Sequence, residues 1–301
     1  MGDIESSPSP PPSRPYKIPT PPPSPTFRDP WRNVSWGHNE EDLKYLKDYQ
    51  PEIADIRHLR VLLYGPVGAG KSSFINSVSN VLVGRMTQSA GVSATTSDQS
   101  HTTKYETHKI QKGSRGNFYP VVFNDIMGLE EKTGGGVRAD DIKLAMKGHV
   151  KEGYKFNPVS SLSSGDPDYN PSPSLDDRVH VLVCLHNANI TKMEELPLMK
   201  MKEIREAASD LGIPQLAIVT KVDEACGETE KDLKNVYKSK HIKKKMKDFS
   251  SSLGIPMNCI FPVKNYSEEI STDENINTLI LSALRLIVDF GDDFIHKSCD
   301  K

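Results

Sequence analysis

Residues 65–72 read GPVGAGKS, a match to GxxxxGK[ST], and few short patterns restrict a fold as tightly. The apolar run LRVLLY stands immediately before it. SSFINSVSNVLVG follows, with Phe74, Ile75, Val78, Val81 and Leu82 on one helical face. A strand, a glycine-rich loop and a helix in that order form a phosphate cradle. Gly65, Gly68 and Gly70 let the backbone wrap without Cβ clashes. The N–H groups from Ala69 through Gly70, Lys71 and Ser72 to Ser73 open the helix and present its positive end to an anion. Lys71 supplies a mobile charge to the β- and γ-phosphates, and the Ser72 hydroxyl is placed for Mg²⁺.

Apolar runs and helical periods alternate from Leu59 onward. TTKYETHKI, YPVVFND, RVHVLVCL, QLAIVT and NCIFPV read as further strands. Helices are expected near 140–149, 196–211, 230–251 and 275–297. Dense short strands alternating with helices predict an α/β P-loop NTPase G domain, its mainly parallel sheet covered on both faces. That domain is expected over 59–301. A connecting segment over 31–58 carries a helix at EEDLKYLKDY, with Leu43, Tyr45, Leu46, Trp31 and Trp36 as packing anchors. Eleven of the 22 prolines lie in residues 1–30, which read as a disordered, partly polyproline tail. The tail's PxxP repeats could serve an SH3-type partner, though a solubilising role is the plainer reading.

In such sheets ligands sit beyond the carboxyl ends of the strands, and the remaining motifs fall there. DIMG follows YPVVFN, which makes Asp125 the Mg²⁺-linked carboxylate and Gly128 a donor toward the γ-phosphate. A switch threonine is expected before the second strand. Thr95, Thr96, Thr102 and Thr103 are the candidates, with Thr103 or Thr102 preferred because they directly precede it. Leu129 stands where many GTPases place a water-orienting glutamine. Intrinsic hydrolysis by that route is therefore not expected, and turnover would be slow or stimulated by self-association. TKVD after QLAIV reads as a guanine selector formed by Thr220, Lys221 and Asp223. The Asp223 carboxylate can accept from guanine N1–H and the 2-amino group, whereas adenine would leave it desolvated and unpaired. VKNYS after the next strand makes Lys264 and Asn265 candidates for a loop under the guanine O6.

With these elements in place, the chain resembles the interferon-induced protein 44 family of GTPase-like proteins. RVLLYGPVGAGKSSFINSV, DDIKLAMKGHV, YKFNP, PSPSLDDRVHVL and LILSALRLIVDFGDDFI carry the resemblance, from about DPWRNVSW to the C-terminus. It implies a GTP- and GDP-binding, Mg²⁺-using, cytoplasmic protein of interferon-induced innate antiviral defence. Longer family members have a separate N-terminal domain, and functions tied to it are not carried over. Some relatives replace the base-binding lysine, whereas this chain retains Lys221.

The formal net charge of −2 gives no global attraction to nucleic acid or anionic membrane. No run is long and apolar enough for a transmembrane segment. Cys184, Cys226, Cys259 and Cys299 form no CxxC pair, as suits a reducing compartment. Eight lysines in 231–247 read as the solvated face of a helix, with anionic lipid or RNA contact as the sharper alternative. Met1, Gly2 and Ser6 fit a loose myristoylation pattern that Asp3 and Glu5 oppose. Two other functions compete with a GTP-binding switch. One is a non-hydrolysing, nucleotide-bound scaffold, favoured by Leu129. The other is a P-loop kinase, disfavoured by TKVD.

Overall fold

The computed structural model describes residues 24–88, 90, 103–130 and 136–299. The tail to residue 23, with its PxxP repeats and Gly2, and Thr95, Thr96 and Thr102 lie outside the described residues.

A six-stranded sheet in the order β2-β3-β1-β4-β5-β6 forms the centre. Its strands are β1 (Leu59–Tyr64), β2 (Glu106–Gln111), β3 (Phe118–Asp125), β4 (Val181–Asn187), β5 (Gln215–Thr220) and β6 (Ile260–Pro262). Five run parallel, and only β2 is antiparallel, paired to β3. This is the G-domain arrangement expected from the alternation of strands and helices. The helices are α1 (Glu40–Asp48), α2 (Lys71–Val83), α3 (Ala139–Met146), α4 (Glu195–Asp210), α5 (Gly227–Lys231), α6 (Lys240–Leu253) and α7 (Glu274–Cys299).

Successive strand residues face opposite ways, so one sheet divides the interior into two cores. Leu62, Tyr64, Leu182, Cys184, Ala217 and Val219 pack with residues of α3, α4 and α6. Val61, Leu63, Val183, Leu185, Leu216 and Ile218 pack with α1, α2 and α7 on the other side. Burial on both faces explains why these strands read as unbroken apolar runs rather than alternating ones.

The helix expected over 230–251 is a correction. It is three pieces: α5, a 3-10 turn at Leu233–Tyr237, and α6. Asp232 is extended (φ −152°, ψ 113°) and its side chain accepts from the Lys234 N–H. Ser239 caps α6 by accepting from the Ile242 N–H. Both side chains satisfy backbone donors that a continuous helix would bond internally. The strand expected over 102–110 is shorter as well, beginning at Glu106.

Residues 24–30, read above as the end of the tail, are held on the far edge of the domain. Phe27 N–H donates to the Lys238 carbonyl at 2.8 Å, and Trp31 N–H to that of Tyr237 at 2.9 Å. The Arg32 guanidinium donates to the carbonyls of Met257 (2.6 Å) and Ile260 (2.9 Å), and it lies over the rings of Trp31, Tyr237 and Phe261. Charge-assisted bonds thus occupy acceptors beside the edge strand β6. On the opposite core, Tyr45 and Tyr49 donate to Asp289 and Asp292 of α7, joining α1 to it.

Two buried histidines give the fold an acid-sensitive stability. Burial pushes His180 down to about 4, against the Leu175 carbonyl that favours its protonated form. Burial, then Lys245, pushes His186 to about 4. His180 Nδ1 accepts from Arg60 N–H at 2.9 Å, so its Nε2–H faces the Leu175 carbonyl at 3.2 Å. His186 stacks on Phe249 with centroids 4.8 Å apart. A depressed folded pKa means that stability is complete above the unfolded value near 6.5 and is lost as pH falls toward 4. At about 1.4 kcal/mol per unit, each histidine accounts for about 3 kcal/mol. The urea midpoint is therefore expected to fall steeply between pH 7 and 4.5, and less steeply in His186→Phe.

Candidate functional site

The phosphate loop leaves β1 at Gly65, where φ is +147° and an added Cβ would collide with the Leu185 carbonyl oxygen. Gly65→Ala is expected to lower stability by about 3 kcal/mol through combined strain and overpacking, read as a fall in the thermal midpoint. The loop is zipped to the segment after β3. Leu129 N–H donates to the Gly65 carbonyl (3.1 Å), and Val67 N–H donates to that of Leu129 (3.3 Å). Gly128 lies against Val67, with room for no Cβ. The Leu129 side chain is fully buried in the core.

Gly70, left-handed at φ 85°, is the N-cap of α2, whose first turn holds no acidic residue. The Lys71 ammonium is buried and lies 3.3 Å from the Gly65 carbonyl and 3.5 Å from that of Pro66. Burial lowers its pKa, while Asp125 works in the opposite direction. Ser72 Oγ donates to Asp125 Oδ2 at 2.5 Å. The Ser73 carbonyl accepts from Ser77 Oγ (2.8 Å), which itself accepts from Tyr266 N–H (3.0 Å). Hence β1, β3 and α2 bring a cationic cradle and a hydroxyl–carboxylate pair to the same end of the sheet.

The elements after β5 and β6 close on that cradle. Thr220 is fully buried, and its hydroxyl lies 2.9 Å from the Ala69 carbonyl and 3.3 Å from that of His186. Its place is therefore a strut between the TKVD segment and the phosphate loop. Asn265 Nδ2 reaches the Gly70 carbonyl at 3.4 Å, and its buried Oδ1 has no hydrogen-bond partner among the described residues. Lys221 takes the left-handed conformation at φ 58° and pairs with Glu224 at 3.4 Å. Asp223 meets Lys264 at 3.5 Å, and Lys264 meets Glu269 at 2.9 Å. Burial lowers the Lys264 pKa, but Glu269 and Asp223 outweigh it and the net shift is upward.

The structure thus gathers Gly65, Gly68, Ala69, Gly70, Lys71, Ser72, Ser73, Asp125, Gly128, Thr220 and Asn265 around one loop, with Lys221, Asp223 and Lys264 on adjoining turns. Thr103 stands apart. It is exposed, its carbonyl accepts from Phe156 N–H (3.0 Å), and no bond among the described residues joins it to Ser72 or Asp125. Glu269 and Tyr266 are partners that the sequence motifs do not single out. Their relation to Lys264 and Ser77 depends on the path of the chain after β6, which no local pattern encodes. Among the described residues there is no group of three or more His, Cys, Asp or Glu side chains able to hold a metal. A hard cation here would need oxygen donors from its ligand as well as from Ser72 and Asp125. No helix among the described residues is long and apolar enough to cross a membrane.

No protein-family model matches the chain. It is 37% identical over 255 residues to human "Interferon-induced protein 44", covering 84% of this chain and 57% of that protein. To human "Interferon-induced protein 44-like" it is 32% identical over 260 residues, 86% of this chain and 57% of that one. The mouse "Interferon-induced protein 44" is 34% identical, with 84% and 60% covered. The chain thus spans a little over half the length of these curated relatives. Among solved structures it resembles Toc33 from Arabidopsis thaliana in complex with GDP and Mg²⁺, at 15% identity and TM-score 0.46, covering 84% of this chain and 89% of that one. The Methanococcus maripaludis elongation factor SelB with a GTP analogue is more distant, at 11% identity and TM-score 0.38, covering 79% and 34%.

Proposed function

Over the 84% of its length that aligns, this chain belongs to the interferon-induced protein 44 family, and from that premise we propose that it binds GTP and GDP together with Mg²⁺. The observation that carries the proposal is the buried Lys71 ammonium at the head of α2, held among the described residues at long range by two carbonyl oxygens. An anion at that position would satisfy an otherwise costly buried charge and the helix's unbonded N–H groups together. Gly128 N–H would add a donor from the DIMG segment. Ser72 and Asp125 provide a hydroxyl and a carboxylate, donors suited to Mg²⁺, and Thr103 is the described candidate for a third. Bound there, Mg²⁺ supplies charge neutralisation to the β- and γ-phosphates.

Asp223 reads the base, with the Lys221 stem along its plane and Lys264 and Asn265 near the guanine O6. For the carboxylate to accept from guanine, its 3.5 Å pair with Lys264 must loosen, and Glu269 is positioned to keep that ammonium compensated. Competition of GTP and ATP for a fluorescent GTP analogue tests this reading. GTP should compete at least a hundredfold better, and equal competition would favour a P-loop kinase.

Turnover is slow or stimulated by self-association, because the buried Leu129 side chain can orient no water. Phosphate release per molecule should then rise with protein concentration. Zero release at every concentration would support the non-hydrolysing scaffold, which the same residue favours. The family premise extends the proposal to an interferon-induced, cytoplasmic role in innate antiviral defence. Interferon treatment of cells should raise the level of the protein.

A further inference from the structure

The G domain carries an insert between α3 and β4 that the nucleotide reading leaves without a role. Its ends and the surrounding helices enclose a half-open cavity of about 610 Å³. Val179 and His180 line it just before β4 begins, so it lies at the opposite end of the sheet from the phosphate loop, which follows β1. We propose that this cavity is a second binding site, for a free single-chain anionic amphiphile with an apolar body and one acidic head.

The apolar body is called for by the walls. Met146, Val179, Ile213 and Phe294 converge there from α3, the approach to β4, the turn after α4 and α7. The volume falls within the range of small-molecule pockets, roughly 300–1,000 Å³.

The sign of the head follows from the charges. Lys147 and Arg178 line the cavity and are exposed, which places them on its open side. Neither side chain has an ion-pair or hydrogen-bond partner among the described residues. No aspartate or glutamate is among the lining residues. The two acids beside Arg178 in the chain are already engaged. Asp176 accepts from the backbone N–H groups of Arg57 and His58, and Asp177 accepts from the N–H and hydroxyl of Ser174. His180 adds no charge, because both its ring nitrogens are committed to backbone partners. Two uncompensated cations over an apolar floor select an anion and reject a cation of the same shape.

Calorimetric titration of the full chain with dodecanoate, below its micelle concentration, tests the proposal. One saturable site is expected, with no comparable binding of dodecyltrimethylammonium. The double variant Lys147→Ala/Arg178→Ala, altered only at exposed positions, should bind dodecanoate about tenfold or more weakly. Leu211→Glu, at the exposed edge of the cavity, should also weaken it. GDP affinity should be unchanged in both variants, since neither touches the phosphate loop, and loss of GDP binding by the parent chain would leave the dodecanoate result standing. The proposal is overturned if dodecanoate fails to saturate, if the double variant binds it as well as the parent, or if the cationic analogue binds equally. It is overturned too if only phosphatidylserine vesicles, and not free dodecanoate, are bound.

Discussion

Lys71→Met is expected to abolish measurable GDP and GTP binding while leaving the ligand-free protein as stable as the parent or slightly more so. The two halves of that result have one cause. Burial lowers the Lys71 pKa, so at neutral pH the folded chain without ligand carries a desolvation cost for that charge. Its carbonyl contacts at 3.3 and 3.5 Å are too long to offset this fully. Methionine keeps the aliphatic stem and removes the cost. With a polyphosphate present, the balance reverses. The ammonium then makes charge-assisted bonds, each contributing about 1.5–3 kcal/mol, and losing them weakens binding by roughly a hundredfold or more. Thermal midpoints with and without GDP read both effects. The parent should gain stability from GDP by mass action, and the variant should not. A variant that still responds to GDP would mean that phosphate is held elsewhere.

Asp223→Ala is expected to remove the preference for guanine over adenine without unfolding the protein. The carboxylate can meet two donors on guanine and none on adenine, a difference of about 3 kcal/mol or more. GTP affinity should fall on the order of a hundredfold, and ATP affinity should hold or rise, because no desolvated carboxylate then opposes adenine. Stability should change little. The Asp223–Lys264 pair is partly exposed at 3.5 Å, and such pairs contribute about 0–1 kcal/mol. Lys264 also keeps Glu269 at 2.9 Å. Nucleotide competition before and after the substitution checks the claim. An unchanged GTP-to-ATP ratio would assign base recognition to other residues.

The parts of this molecule that were legible from sequence are those whose physics is local. A glycine-rich loop between an apolar strand and an amphipathic helix has one compact solution, and Gly65 through Ser73 adopt it. DIMG and TKVD each follow a strand, β3 and β5, that ends at the same edge as the phosphate loop. Thr220 has a place that its motif does not state: its hydroxyl ties two loops together through the Ala69 and His186 carbonyls. Leu129 stands in the place of a water-orienting glutamine, and the structure adds that its backbone pairs with the phosphate loop and its side chain fills the core.

What escaped the sequence depends on contacts distant along the chain, or on caps outweighed by periodicity. The lysine-rich stretch kept a near-helical apolar spacing throughout, and only the local bonds of Asp232 and Ser239 divide it. The Arg32 contacts with Met257 and Ile260 join residues more than two hundred positions apart, so proline content could not show that this stretch packs on the domain. The cavity opposite the phosphate loop is lined from five separate stretches of the chain, and no single segment announces it.

Titrating GDP into the purified chain in a calorimeter, with and without Mg²⁺, examines the nucleotide site most directly. A single saturable site, tightened by Mg²⁺ and absent in Lys71→Met, is the result that follows from the cradle at the head of α2. No heat of binding under either condition, or the same affinity with Lys71 replaced, would contradict it.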